Sequence, residues 1–411
     1  MLRSLAAAVL LLLTATAAPA QQPVPQQMGD RLRAGELRLL EGELAARLAE
    51  SPGDDQARFA LGATQFIRAV EGLAQDMYRH GLQPPRDAAM LLPFFRFPLP
   101  PNPRAEPLDY EKMRAVFKRA LEGLGKADAT LAGLGNAEVK LPVAVGLARL
   151  DLDGNGKADE QESLFAVFNA TLGGGNLPPE AAERFIISFD RGDAAWLRGY
   201  ANLLSALIEF MLAHDGKLSF EASAHMLFPD AGLPNAVLDR QPGAPADQYG
   251  MAAAADLLAA VHLMHWPVTE PKRMASALAH LEQTASLSRE SWRFILAETD
   301  DEAEWIPSPR QTKGVTGVPV TEETLDGWMV FLSEFEALLK GEKLVPHWRL
   351  AKGINLRRVF LEPRPFDPIL WAQGSAALPY LEDGPMTDAQ TWNRIMEMFS
   401  GNFLNYALWF N

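Results

Sequence analysis

Between residues 151 and 162 the chain reads DLDGNGKADEQE, which places oxygen-bearing side chains at Asp151, Asp153, Asn155, Asp159 and Glu162. Carboxylates this close in sequence repel one another unless a cation or hydrogen-bond donors neutralise them. An all-oxygen donor set suits a hard divalent cation. Calcium takes about six to eight oxygens at roughly 2.3–2.6 Å and tolerates irregular geometry, whereas magnesium demands a tight octahedron and keeps its waters. Zinc fits worse, because the stretch holds no His and the chain no Cys. A second set of acids invites a different chemistry: Asp190 and Asp193, together with Glu298, Asp300 and Glu304 of the densest acidic run. Two carboxylates at a set separation are what glycoside hydrolysis requires. Consecutive acids, however, mostly point apart and form a solvated face. Serine-hydrolase chemistry finds no GxSxG element, and neither a phosphate-binding glycine loop nor a dinucleotide fingerprint is present. With zero cysteines, thiolate nucleophiles, thiolate metal sites and disulfides are excluded. No catalytic residue is assigned with these motifs, and enzyme activity stays open.

The spacing of the first set resembles an EF-hand calcium loop, with donors at loop positions 1, 3, 5, 9 and 12 and Gly156 at position 6, where such a loop turns sharply. The resemblance implies carboxylate ligands from Asp151 and Asp153, the amide oxygen of Asn155 and the backbone carbonyl of Lys157. Asp159 would bind directly or through water, and Glu162 would close the sphere with both oxygens. Two departures stand out. Ala158 occupies position 8, where paired loops join through a branched apolar residue, and no second loop of matching spacing exists. A metal-free reading is an Asx-rich turn followed by a capped helix, with Asp159 and Glu162 as a capping box. That reading leaves Asp151 and Asp153 unexplained.

The surrounding elements set the context. Arg3, the apolar run from Leu5 to Ala18, and Ala18-Pro19-Ala20 predict a signal peptide over residues 1–20, cleaved before Gln21. The run is shorter than the roughly 20 residues a membrane span needs, so no span is expected after cleavage. The expected destination is a bacterial periplasm or the exterior, reached by the general secretory route. There calcium is plentiful and a lone loop need bind only at about 10⁻⁴–10⁻³ M. The acidic balance, 38 Lys plus Arg against 52 Asp plus Glu, argues against nucleic acid and anionic membrane surfaces as partners.

Leucines from Leu32 to Leu48 form a helical stripe closed at Ser51-Pro52-Gly53; Asp54 or Asp55 then caps a second helix running to about Gly81. The junction AESPGDDQARFALG resembles that between two tetratricopeptide repeats, although Arg58 and Gln65 miss the aromatic positions and no fixed period recurs. Residues 82–108 are proline-rich yet apolar at Leu91, Leu92, Phe94, Phe95 and Phe97, which predicts an ordered strap. A helix is expected from Tyr110 to Leu131. Val139, Leu141, Val143, Val145 and Leu147 alternate with period two, so the loop should be entered by a strand and left by a helix from Asp159 to Leu172. Asp193 should cap a helix carrying Trp196, Tyr200 and Leu203. Arg198 is expected to pair locally rather than line a cleft. His262 and His265, three apart, lack the further ligands a zinc site needs. His347, Arg349, Arg357 and Arg358 form a basic island that could hold an anion or answer nearby carboxylates. Leu325 to Leu339 and Thr391 to Phe410 complete the helices.

The expected architecture is mainly α: one multi-helix globular domain over residues 21–411, with a strand–loop–helix calcium loop, proline-rich connectors and a sub-boundary near 230–250. The expected function is that of an exported calcium-binding protein acting in binding or scaffolding, toward another protein or polymer, with calcium as a structural staple. The alternative is a periplasmic hydrolase using carboxylates among Asp190, Asp193, Glu298, Asp300 and Glu304.

Overall fold

The computed structural model describes residues 22–83, 99–166, 180–240, 251–312, 314–315, 320–399, 407 and 410. The expected leader, the apolar middle of the strap and the far end of the helix after the loop lie outside these residues. The body is mainly helical, with small two-stranded sheets. Among the described residues no helix is long and apolar enough to cross a membrane.

The leucine stripe forms two helices rather than one: α1 (Val24–Ala34) and α2 (Leu37–Glu50). Gly35 ends α1 with a left-handed φ of 71°, a conformation that costs a glycine little. Asp54 caps α3 (Asp55–Arg79) by accepting from Ala57 N at 2.9 Å. Asp55 is buried instead and accepts from Gly135 and Ala137 N–H groups. Past the strap comes α4 (Tyr110–Ala132), capped by Asp109. The ends of the strap are tied down, since Gln83 N–H donates to the Leu227 carbonyl and Leu108 N–H to that of Ala231.

Two long helices form the most extensive pair in the fold: α5 (Arg191–Ala213) and α8 (Pro271–Ile295). Between them in sequence lie α6 (Lys217–Ser223) and α7 (Met251–His262). The C-terminal part holds α9 (Glu322–Lys340), α10 (Leu356–Leu361), α11 (Pro368–Gln373) and α12 (Ala389–Met398). Gly341 stops α9 as expected, with φ 73°.

The apolar stripes close into separate cores. Leu32, Leu40, Leu44, Phe59, Leu150 and Leu152 share the first, so the metal-candidate loop is rooted in the α1–α3 core. A second fills the space among α3, α4 and α5. A third gathers Trp292, Trp328, Ile395, Phe399 and Phe410, which docks the C-terminal residues on α8 and α9, as their aromatic content predicts. Trp328 satisfies its buried indole N–H on Ser288 Oγ at 3.0 Å.

The approach to the loop departs from the expected continuous strand. β1 (Leu141–Val143) pairs antiparallel with β2 (Ile187–Phe189), in the register Leu141 to Phe189 and Val143 to Ile187. A single 3₁₀ turn over Val145–Leu147 then shifts the phase. Up to Val143 the odd positions are buried; from Gly146 inside the turn onward the even ones are, with Ala148, Leu150 and Leu152 following it. One turn of helix suffices for this, because a strand's faces alternate residue by residue.

Candidate metal centre

The loop from Asp151 is closed like a small hairpin. Leu150 N–H donates to the Glu162 carbonyl at 3.0 Å and Leu164 N–H to the Ala148 carbonyl at 2.8 Å, around an antiparallel bridge between Arg149 and Ser163. The expected helix from Asp159 is interrupted. A 3₁₀ turn spans Glu160–Glu162, Ser163 is extended at ψ 150°, and helix restarts at Leu164. The bridge explains the break, since a residue paired across a ladder cannot hold helical dihedrals.

Within the loop, oxygens of Asp151, Asp153 and Glu162 lie within 4.8 Å of one another. Short-range hydrogen bonds hold them there. Asp151 Oδ2 accepts from Gly156 N at 3.0 Å, Asp153 Oδ1 from Asn155 N at 2.9 Å, and Asn155 Oδ1 from Lys157 N at 2.8 Å. Gly154 and Gly156 carry φ of 72° and 83°, which lets the backbone fold inward over the acids. Glu162 is buried. Its Oε1 accepts from Leu152 and Asp153 N–H, and its Oε2 from Asp159 N–H at 2.9 Å. The capping-box bond expected between Asp159 and Glu162 is therefore present, and Glu162 also faces the other acids. Asp159 is exposed and its carboxylate stands outside the three-oxygen group; Asn155 and Lys157 line the exposed limb.

One atom tests the fit of a cation. Asp151 Oδ1 is buried and has no hydrogen-bond partner. Buried polar atoms are nearly always satisfied, and an unpaired one costs about 1–3 kcal/mol. Burial pushes the Asp151 carboxyl up from its ordinary range; backbone N–H groups oppose this and the charge of Asp153 adds to it. A hard cation beside Asp151 Oδ1 would satisfy that oxygen and offset the repulsion.

The loop does not stand alone. Asp151 N–H donates to Glu71 Oε1 at 2.9 Å, and Gln75 Nε2 donates to the Asp151 carbonyl at 2.6 Å, so α3 grips the first ligand from outside. Glu71 is itself raised, chiefly by burial. Arg149 N–H donates to the Leu32 carbonyl at 2.9 Å, which ties the approach to the end of α1.

The second set of acids also converges. Asp190, Glu298 and Glu304 bring carboxylate oxygens within 4.8 Å of one another. Asp190, not Asp193, is the N-cap of α5; it accepts from Gly192 N at 2.6 Å, while Asp193 reciprocates by accepting from Asp190 N at 3.0 Å. Pairing with β1 carries β2 to Phe189, so the helix starts at Arg191, three residues earlier than a cap at Asp193 would place it. Ser188 N–H donates to the Ala303 carbonyl, which sets Glu304 beside Asp190. Glu298 arrives from the end of α8. Burial, then a side-chain hydrogen bond with Asp190 and its charge, lifts Glu298 to about 9; burial, then the charge of Asp190, lifts Glu304 to about 7. Asp193 is raised well above its ordinary value by burial and by Asp190.

Asp300 leaves this group. Together with Glu302 it pairs with Lys140. The acidic run thus splits as consecutive acids should, with Glu298 and Glu304 inward and Asp300 and Glu302 outward. Arg198 pairs with Asp128 at 2.8 Å. His265 is exposed and meets Asp367, and neither it nor His262 joins a ligand cluster among the described residues. The basic island answers carboxylates, Arg357 meeting Glu282 and Arg358 meeting Glu362 and Glu382. A groove of about 330 Å³ between α3 and α4 is crossed by the pairs of Glu41 with Arg68 and Lys126, and holds none of the clustered acids.

Comparison with known proteins adds no relative: no family model matches the chain, and neither the curated proteins nor the solved structures yield a match.

Proposed function

We propose that this chain is an exported calcium-binding protein whose loop over residues 151–162 carries a structural Ca²⁺, and that its body serves binding or scaffolding. Asp151, Asp153 and Glu162 supply the carboxylates, with Asn155, the Lys157 carbonyl and Asp159 completing the sphere. The observation that carries the reading is Asp151 Oδ1, buried and without a partner in a group of three acids. The loop's anchorage to α1 and α3 supports a staple rather than a switch, because its entry limb is already fixed to packed helices and its exit limb is bonded back to that entry. Thermal melting in calcium and in chelator, joined to native mass spectrometry, tests it. Calcium should raise the melting temperature and remain bound in the native ion. No shift and no bound metal would overturn the reading.

A carboxylate hydrolase is the second reading, favoured by the convergence of Asp190, Glu298 and Glu304. It predicts hydrolysis of a glycoside or ester probe that persists in chelator and disappears in Glu298→Gln. Two of its five acids are spent elsewhere: Asp193 on the helix cap and Asp300 on Lys140.

A further inference from the structure

Where α3 and α4 pass each other, small residues decide their separation. The helices close at one point, since a Cβ added to Gly123 would come within 2.8 Å of the Ala69 Cβ. Beside that contact they part: a Cβ added to Gly72 would meet no atom within 4 Å. The groove of about 330 Å³ opens there, and Glu41 of α2 also lines it. Such a volume lies at the lower end of the roughly 300–1,000 Å³ of small-molecule sites. Its polar residues fall at helical spacing, Gln65, Arg68 and Asp76 on one face of α3, Arg119 and Lys126 on one face of α4.

The charges do not cancel. Arg68, Arg119 and Lys126 stand against Glu41 and Asp76, three cations to two acids in a chain whose net charge is −14. Both acids are already served. Glu41 accepts from Arg68 and, at 2.6 Å, from Lys126. Asp76 accepts from Arg119 at 2.7 Å and, through its other oxygen, from Arg79 at 2.8 Å. Every carboxylate oxygen of the groove therefore has a donor, and donors are left over. Arg68 Nε is buried without a partner. Gln65 is only 6% exposed; its amide oxygen accepts from Thr130 Oγ1 at 2.6 Å, and its amide nitrogen has no partner among the described residues. A buried donor without an acceptor costs about 1–3 kcal/mol. The missing partner is an acceptor, and the excess of cations favours a negatively charged one.

We propose that the groove between α3 and α4 binds a small organic anion, whose carboxylate or phosphate oxygens are held by Gln65, Arg68 and Lys126. Arg68 and Lys126 converge on the one carboxylate of Glu41, and Gln65 lies one turn before Arg68 on the same face. Leu73 and Val116 line the same groove and receive the carbon skeleton.

Calorimetric titration of the full chain, stripped of metal and dialysed free of chelator, tests the site without recourse to calcium. The probes are succinate, glucuronate and inorganic phosphate. At least one should bind saturably, at one per chain. Binding of succinate or glucuronate alone would mark a carboxylate ligand, and of phosphate alone a phosphorylated one. Gly72→Met should fill the groove and weaken that binding by about tenfold or more. It leaves every charge in place and puts a better helix former inside α3, so it should melt no lower than the wild type. Gln65→Leu should weaken binding by about tenfold, the worth of one hydrogen bond to a charged group, and serves as the second variant should Gly72→Met fail to fold. Absence of saturable binding for all three anions would overturn the site. So would wild-type affinity in either folded variant, which would place the anion elsewhere on the surface.

Discussion

Gly35 and Ala158 are in direct contact: a Cβ added to Gly35 would come within 2.3 Å of the Ala158 Cβ. Position 8 of the loop, through which EF-hand loops usually pair, here abuts the corner between α1 and α2. The small residue at 158 is thus accounted for by packing against that corner. Ala158→Ile should overpack this contact and destabilise the chain by about 1–3 kcal/mol. Gly35→Ala should do at least as much, because it adds the strain of a left-handed φ to the clash. Urea denaturation with and without calcium measures both. Wild-type stability in Ala158→Ile would refute the contact.

At the loop, Asp151→Asn and Glu162→Gln should abolish the calcium-dependent rise in melting temperature that the loop supplies. A ligand at about ten times its Kd stabilises a fold by roughly 1.4 kcal/mol, which sets the size of the lost increment. Glu162→Gln should also cost stability in chelator, because its carboxylate accepts three backbone N–H bonds. Asp151→Asn should cost less there, since one of its oxygens is unpaired. Equal losses in chelator would argue against this ordering.

Stability without metal should depend on pH with a defined sign. Glu298 and Glu304 titrate at about 9 and about 7 in the fold, against an ordinary 4.5. The folded chain then holds protons that the unfolded chain has released, so their contribution is full below pH 4.5 and is lost as pH climbs through 7 and 9. In chelator the melting temperature should fall from pH 5 toward pH 9. Glu298→Gln and Glu304→Gln should each flatten that slope. A slope of the opposite sign, or one unaffected by both variants, would contradict the buried carboxylates.

Phe410 tests the third core. It is fully buried, with its ring centroid 5.0 Å from that of Trp292 and 5.6 Å from that of Trp328. Phe410→Ala should cost about 3–5 kcal/mol, the usual range for such a truncation. Denaturant midpoints, with Trp fluorescence as the reporter, would register it. A loss under about 1 kcal/mol would mean that the chain end does not carry this core.

What could be read from the sequence was local. The helical stripes of α3, α4 and α9 were legible because burial repeats at the helical period, and the stop at Gly341 because one residue type suits that backbone. The grouping of Asp151, Asp153 and Glu162 was likewise legible: a twelve-residue loop fixes their mutual distances with little help from elsewhere. The split at Gly35, the phase change at Val145–Leu147 and the shift of the α5 cap from Asp193 to Asp190 were not, because each is imposed by a neighbour distant in sequence.

By itself, then, the sequence determined a mainly helical body and one short constellation of oxygen donors, since periodicity and spacing act within a few residues. Only the tertiary structure decided that Ala158 would meet Gly35, that Asp300 would turn to Lys140, and that Glu304 would be buried against Asp190 and Glu298. The physical reason is range. Hydrogen bonds and helical faces are set by adjacent residues, whereas the desolvation and charge crowding that mark the second cluster arise only when β2, α5 and α8 have packed.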